Sequence, residues 1–579
     1  MALLRQELPR APTEDEIPTI AQRHAAAYTQ LLEHILAGVG LDNATLENTV
    51  LAIAHLENSQ ATERALLMAL KYCSPFWSVQ TKCEEAEALW QELGNGQRER
   101  IYSLIASARA TSPQQHTQVI RLADKMLSDL QDLGIGSMHG PSAKKIQANK
   151  DSIQQHSLMF LRNLREVDRS SEADINELDD ILNQLRNTEL IEADGQPAKL
   201  RVPYTGNYHT VMQRAHSADI RKKMFEIHSS RYNRNTSLFK EILLLRDENA
   251  RLLGFENHAE LRLPDRLPPS IAAVNKLLGS TLDALQQHKQ AETGSRLAAS
   301  ESLKNEDETI ITQPWDKAYN RAKLAQESRV AGATKFAEYF PLWHTVQMMI
   351  VLAQDLFELK FESITAESLL EANWPKEVKG WRVWEREPSS NSFIGYFLAD
   401  SQDRPHKYKG NQSVNLGPGL LSIRYGCAYT SHSPGLARHE RGRGMAGCVL
   451  RAMTTPPTIA NSYVGFGHLV SDYDAGYYTY IYADVVAANL ARTLFATDPR
   501  EKQMWNKFRR EILEKGGSED EYTLLKDFLG YPPDDTSAFF AALGLQLNQP
   551  KIQPRNDNPP DAESQTQLEN RTKYRITTC

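Results

Sequence analysis

Long hydrophobic runs are absent from this chain. Its most apolar stretch, Val346 to Leu356, is interrupted by Gln347, Gln354 and Asp355. A membrane-spanning helix needs about 20 apolar residues in a row, so no such span is predicted. Cysteine is scarce: there are 5, at positions 73, 83, 427, 448 and 579, with irregular spacing. An odd and sparse set does not make a disulfide framework, and a reduced, cytoplasmic setting is expected. Positive charge is not in excess either. Lys and Arg number 66 against 73 Asp and Glu, giving a net charge of -7, and no polybasic run occurs. That excludes an electrostatic nucleic-acid footprint. The first residues, MALLRQELPRAPTEDEIP, contain no apolar core of a secretory signal. The terminal ITTC is no prenylation box, which needs its Cys four residues from the end.

What is present is an ordinary globular composition, 41% hydrophobic and 24% charged over 579 residues. Such a chain can bury a large core without covalent staples. Apolar residues recur at spacings of three and four over Ile17–Leu36, Asn43–Leu70, Cys83–Ala106 and Val119–Leu133, which predicts helices. GIGSMHGP, residues 134 to 141, is a breaker cluster, and a long polar helix is expected over Ala143–Arg165. A linker with a short strand near Ala198–Pro203 follows. Ala218–Leu263 is again helical, and two further helices are expected to about Gly294. WRVWEREPSSNSFIGYFLAD, from Trp381, alternates apolar and polar residues around a turn, as a β-hairpin does. Gly410–Ile423 is a Gly/Pro-rich loop, and helices resume near Ala475 and run to about Leu545. From Asn548 the composition predicts a disordered tail. The expected fold is mainly α with one small antiparallel β-sheet. Its expected parts are an N-terminal helical domain (1–195), a central helical region (196–380), a catalytic-like region (381–547) and the tail (548–579). No internal repeat is visible.

Chemistry concentrates in one segment. Tyr473, Tyr477 and Tyr480 stand at i, i+4 and i+7, one face of a helix, with His468 five residues earlier. Phenolic hydroxyls on one face can donate to a developing oxyanion. The plainer alternative is a tyrosine stripe packed into a core.

Four stretches carry a family resemblance. They are LLLRDENARLLGFENHAELRL from Leu243, FIGYFLADSQDRPHKYKGNQSVNLGPGLL from Phe393, FGHLVSDYDAGYYTYIYADVV from Phe466 and FRREILEKGGSEDEYTLLKDFLG from Phe508. Together they resemble the thimet oligopeptidase and neurolysin family of zinc metallo-oligopeptidases. The resemblance implies a zincin-like helical clamshell of two domains around a deep central channel. It implies hydrolysis of short peptides by a zinc-activated water, in a monomer without nucleic-acid or membrane partners. In such a protein His468, Tyr473, Tyr477 and Tyr480 hold the substrate and the oxyanion. Ser471 and Asp472 replace a glycine pair usual in the family, which implies a stiffer loop.

The family's zinc site needs His-Glu-x-x-His, two imidazoles one helical turn apart with a glutamate to polarise water. His-Glu occurs once, at His439-Glu440, and Arg443 stands where the second histidine belongs. A guanidinium has no lone pair for a metal. In one register His439 is a ligand and Glu440 the base. In another, SPGLARHE is the lead-in to a motif that is missing, and His439 is no ligand. Between Arg441 and Ser471 there is no Asp or Glu to supply the third ligand. Cys427, His432, His439, Glu440 and Cys448 match no zinc spacing. Zinc is thus the cofactor expected from the family, with its ligands not intact. The leading reading is an oligopeptidase whose zinc block is missing from the sequence. The alternatives are a non-catalytic peptide-binding protein and a repurposed peptide-modifying enzyme.

Overall fold

The computed structural model describes Leu8 to Leu545 with short breaks and longer ones at 293–312, 328–338 and 417–461. The expected tail, most of the Gly410–Ile423 loop, and both His439 and Glu440 lie outside the described residues.

Helices form where the three-and-four spacing predicts them. The N-terminal part contains α1 (Glu16–Gly38), α2 (Ala52–Cys73), α3 (Trp77–Gln91), α4 (Arg98–Thr111) and α5 (Thr117–Asp132). Glu16 begins α1 by accepting the Thr13 amide at 2.7 Å and pairing with Arg10 at 2.9 Å. Two expected long helices are divided. A π-turn, Glu47–Leu51, precedes α2. Gly94, at φ 71°, separates α3 from α4, a conformation that costs a residue with a Cβ about 1 kcal/mol or more.

Two cores form beneath these helices. Leu32, Ile35, Leu46, Val50, Ile53, Leu104 and Ile105 make one. Ile17, Leu66, Leu67 and Val79 make the other, joined by Ile364, Leu369, Trp374 and Val378 from far along the chain. Trp374 donates its indole N–H to the Pro9 carbonyl at 2.9 Å, fastening the two stretches.

The middle of the chain holds α6 (Pro141–Arg165), α7 (Tyr204–Arg214), α8 (Ala218–Ser230), α9 (Asn235–Leu252), α10 (His258–Arg262), α11 (Ile271–Glu292) and α12 (Lys317–Glu327). The helicity expected over 218–263 is therefore three helices. Ser217 starts the first and Asn257 the third by accepting amides from Ile220 and Glu260. One helix, α11, stands where two were expected. Further on come α13 (Leu342–Leu356), α14 (Ala366–Glu371), α15 (Thr479–Leu494), α16 (Lys502–Phe508), α17 (Glu521–Leu529) and α18 (Ser537–Ala542). No described helix is long and apolar enough to cross a membrane.

The fold is mainly α, and the described strands form two small antiparallel sheets where one was expected. The first, ordered β1-β3-β2, joins β1 (Ser170–Asp174), β2 (Glu189–Ile191) and β3 (Lys199–Pro203), the last being the strand expected near 198–203. The second, β4-β5-β6, holds β4 (Leu359–Ile364), β5 (Lys379–Glu385) and β6 (Phe393–Ala399). The expected hairpin is β5–β6, with Trp381 opposite Phe397 and an irregularity at Val383/Trp384.

Candidate functional site

The chain from Ser462 to Val470 lies down on α6 and α9 before α15 begins. Glycine makes the approach close. A Cβ on Gly465 would sit 2.8 Å from Tyr232, and one on Gly467 2.9 Å from Leu161. Asn235, fully buried on α9, donates to the Val464 carbonyl at 3.1 Å and to the Phe160 carbonyl at 3.3 Å. It also accepts from Asn163 at 2.7 Å. Arg246 donates to the Leu469 carbonyl at 2.6 Å. Val470 closes the contact by packing against Phe160 and Ile242.

The tyrosines are arranged differently from the single helical face expected. Tyr473 and Tyr477 belong to a run of turns, and Tyr480 to the first turn of α15. Ala475, at φ 51°, is in the left-handed region, which no α-helix contains. The Gly476 amide closes the turn on the Tyr473 carbonyl at 3.0 Å. The turn nevertheless gathers the rings. Tyr473 stacks on Tyr480 with centroids 5.4 Å apart, and Tyr477 lies 4.9 Å from Tyr480. The Tyr480 hydroxyl donates to the Tyr473 hydroxyl at 2.9 Å. His468, exposed, has its ring 5.2 Å from Tyr473 and 5.5 Å from Tyr477, and Phe466 packs edge-on to Tyr477 at 4.6 Å. All four sequence-predicted residues of this segment, His468, Tyr473, Tyr477 and Tyr480, therefore meet in one cluster.

The core-packing alternative applies to their neighbours. Tyr478 and Tyr482 are buried with Leu263, Leu277, Ile481 and Val485, and their hydroxyls have no hydrogen-bond partner among the described residues. Burial pushes the phenol of each upward, away from ionisation. Tyr473, Tyr477 and Tyr480 are only half-buried. A phenol in that position keeps an apolar ring for stacking and a donor for an incoming carbonyl oxygen. Donation from Tyr480 polarises the Tyr473 hydroxyl, which strengthens it as a donor in turn.

One residue of the site escaped the sequence reading. Asp474, buried between Tyr473 and Ala475, accepts a hydrogen bond from His258 Nε2 at 2.6 Å. Arg262 Nε lies 3.4 Å and Arg266 Nη2 3.8 Å from the same carboxylate. Arg266 also donates to the Asp474 carbonyl at 2.9 Å. Burial alone pushes the Asp474 carboxyl up. The His258 hydrogen bond and the Arg262 and Arg246 charges outweigh it and hold the group well below the usual carboxylate range. His258, Arg262 and Arg266 recur every four residues, but Glu256, Glu260 and Asp265 stand among them, so the row carried no signal of a distant acidic partner.

A zinc ion finds no fit among the described residues. No three His, Cys, Asp or Glu side chains among them converge. His468 is ringed by aromatic groups, and His258 and Asp474 by guanidinium cations, which repel a metal. His439 and Glu440, the residues weighed as ligand and base, are not among the described ones.

Comparison with known proteins places this geometry in context. A family model described as Peptidase family M3 matches residues 211–436 and 449–545. His439 and Glu440 fall between the two matched pieces. Saccharolysin of Saccharomyces cerevisiae is 24% identical over 538 residues, 69% of this chain and 75% of that protein. Oligopeptidase PhomG' of Diaporthe leptostromiformis is 26% identical over 418 residues, 68% of this chain but 33% of its own length. A probable thimet oligopeptidase of Arabidopsis thaliana is 22% identical over 397 residues, 68% of this chain and 54% of its own length.

Proposed function

The chain belongs to peptidase family M3, and on that premise we propose that it acts on short peptides as an oligopeptidase-type protein of the cytoplasm. His468, Tyr473, Tyr477 and Tyr480 take the peptide: rings stack on its side chains, and phenols donate to its carbonyl oxygens. The observation that carries this reading is the half-buried ring cluster with its Tyr480–Tyr473 hydrogen bond. Zinc metallopeptidases make up this family. Zinc would supply an activated water, and the ligands for it would have to come from residues outside the described ones.

Magnitude separates grip from cleavage. One well-placed oxyanion donor contributes about 10² to 10³ in rate. Enzymes accelerate their reactions by about 10⁶ or more. The cluster therefore accounts for binding and for part of a transition-state stabilisation, and leaves the nucleophile to a metal site.

The test uses the purified 579-residue chain and a quenched-fluorescent peptide of mixed composition, with metal content measured alongside. The expected result is peptide binding that survives a chelator and weakens when Tyr473 and Tyr480 are changed to Phe. Absence of binding at high micromolar peptide would sink the proposal. A second reading, a peptide-binding protein without hydrolysis, is favoured by the lack of any Asp or Glu between Arg441 and Ser471. Metal-dependent, chelator-sensitive cleavage decides for the first reading. Binding with no cleavage decides for the second.

A further inference from the structure

The tyrosine turn is a strained piece of backbone held from outside itself. Ala475 sits at φ 51°, a region costing a residue with a Cβ about 1 kcal/mol or more. Such a conformation persists only where the surroundings over-determine it. The contacts that do so come from α10 and the residue following it by four, 208 and 216 positions away in sequence. Asp474 is their anchor. Its carboxylate meets His258, Arg262 and Arg266, and its carbonyl takes a second bond from Arg266.

We propose that Asp474 is the positioning residue of this site: by binding His258, Arg262 and Arg266 it sets the tyrosine turn and thereby fixes how firmly Tyr473, Tyr477 and Tyr480 grip a peptide. The proposal rests on the reading that this cluster contacts peptide. The local geometry gives it three supports. Asp474 is the residue directly joining Tyr473 to the left-handed Ala475, so its fixation sets the direction in which Tyr473 leaves the backbone. Gly476 is shaped for the same contact, because a Cβ there would fall 2.1 Å from Arg266 Nη1. The upstream end of the segment is held independently by Arg246 on the Leu469 carbonyl. Tyr473 lies between these two clamps, so loss of the Asp474 anchor frees the tyrosine end while the His468 end stays attached.

A residue of purely structural importance and a positioning residue differ in one measurable respect. If Asp474 acts through the tyrosines, its removal matters only while they are intact, and the two changes are non-additive. The experiment measures the Kd of the full chain for a fluorescein-labelled octapeptide of mixed composition by anisotropy. It does so for wild type, Asp474→Asn, Tyr473→Phe and the double variant, with circular dichroism to show that each is folded. Asp474→Asn is expected to raise Kd about tenfold in the wild-type background and about twofold or less beside Tyr473→Phe. Equal weakening in both backgrounds, or none in either, overturns the positioning role. Should Asp474→Asn not fold, Gly476→Ala, which displaces the Arg266 guanidinium and keeps every charge, is read through the same cycle with the same two outcomes. A wild-type chain that binds no peptide fails earlier, and strikes the proposed function itself.

Discussion

At the scale of the residue, neighbouring tyrosines in one short stretch do opposite work. Tyr482 buries a hydroxyl with no partner among the described residues, beside Leu263 and Val485. An unsatisfied buried polar group costs about 1–3 kcal/mol. Tyr482→Phe is therefore expected to hold or raise the melting temperature and leave peptide affinity unchanged. Tyr480 donates to Tyr473 at 2.9 Å in the half-buried cluster. Tyr480→Phe is expected to lower peptide affinity about two- to tenfold, the range for one neutral hydrogen bond, with little change in stability. Thermal melts and peptide titrations on the two variants check the pair, and the reverse assignment of effects would show that the two faces have been misread. Asp474 adds a pH dependence whose sign is fixed. Its carboxyl is depressed in the folded chain below its ordinary 3.8. The stability it contributes is thus fully present above that value and is lost as pH falls below it. The gap in melting temperature between wild type and Asp474→Asn should shrink as pH falls below about 4. A gap that stayed the same or widened over that acid range would contradict the ion cluster. The sequence pointed to His468, Tyr473, Tyr477 and Tyr480 through their spacing and resemblance, but placed the tyrosines on a helix. A helical period cannot reveal that Ala475 has positive φ. Asp474 was invisible because its partners lie 208 and 216 residues away.

At the scale of the element, helices were legible and their interruptions were not. The three-and-four pattern marked α1 and α5 closely, because one buried face dominates each. It ran through the break between α3 and α4, since Gly94 interrupts the backbone without disturbing the apolar rhythm that resumes at Ile101 and Leu104. The hairpin β5–β6 was legible from alternation about its turn. The third strand of that sheet, β4, is paired along its whole length with β5, a long-range relation that local pattern does not encode. The site depends on an element junction of the same non-local kind. Asn235, at the start of α9, ties the Val464 carbonyl to that of Phe160 on α6. Asn235→Ala removes both bonds and the one from Asn163, and takes the donor from the buried Val464 carbonyl, at a cost of about 1–3 kcal/mol. Faster hydrogen exchange is expected at residues 462–470, with α1 to α5 unaffected. Exchange unchanged in that segment would mean that Arg246 and the packing of Val470 suffice to hold it.

At the scale of the whole molecule, one surface departs from the pattern of a finished fold. α13 buries Ile350 and Leu356 but exposes Leu342, Met348, Met349, Val351 and Leu352, each by 43% or more. Tyr339 and Phe340 extend the patch before it. Met348, Val351, Leu352 and Leu359 also line an open groove of about 690 Å³ with Arg386 and Arg500 at its edge. Contiguous apolar surface of this kind drives association unless something covers it. Bare α13 surface should bind an apolar dye and make the purified chain associate. Met349→Lys with Leu352→Lys adds charge where both side chains are about half exposed, a change that costs about 0.5 kcal/mol or less on a solvated helix face. The double variant is expected to bind less 8-anilinonaphthalene sulfonate, to scatter less light on warming and to keep the wild-type peptide Kd, since the tyrosine cluster is built from other elements. A drop in melting temperature of several degrees would carry the opposite meaning. It would show that α13 is covered in solution and that its apolar face belongs to the core, because two lysines buried without partners cannot be accommodated at so small a cost.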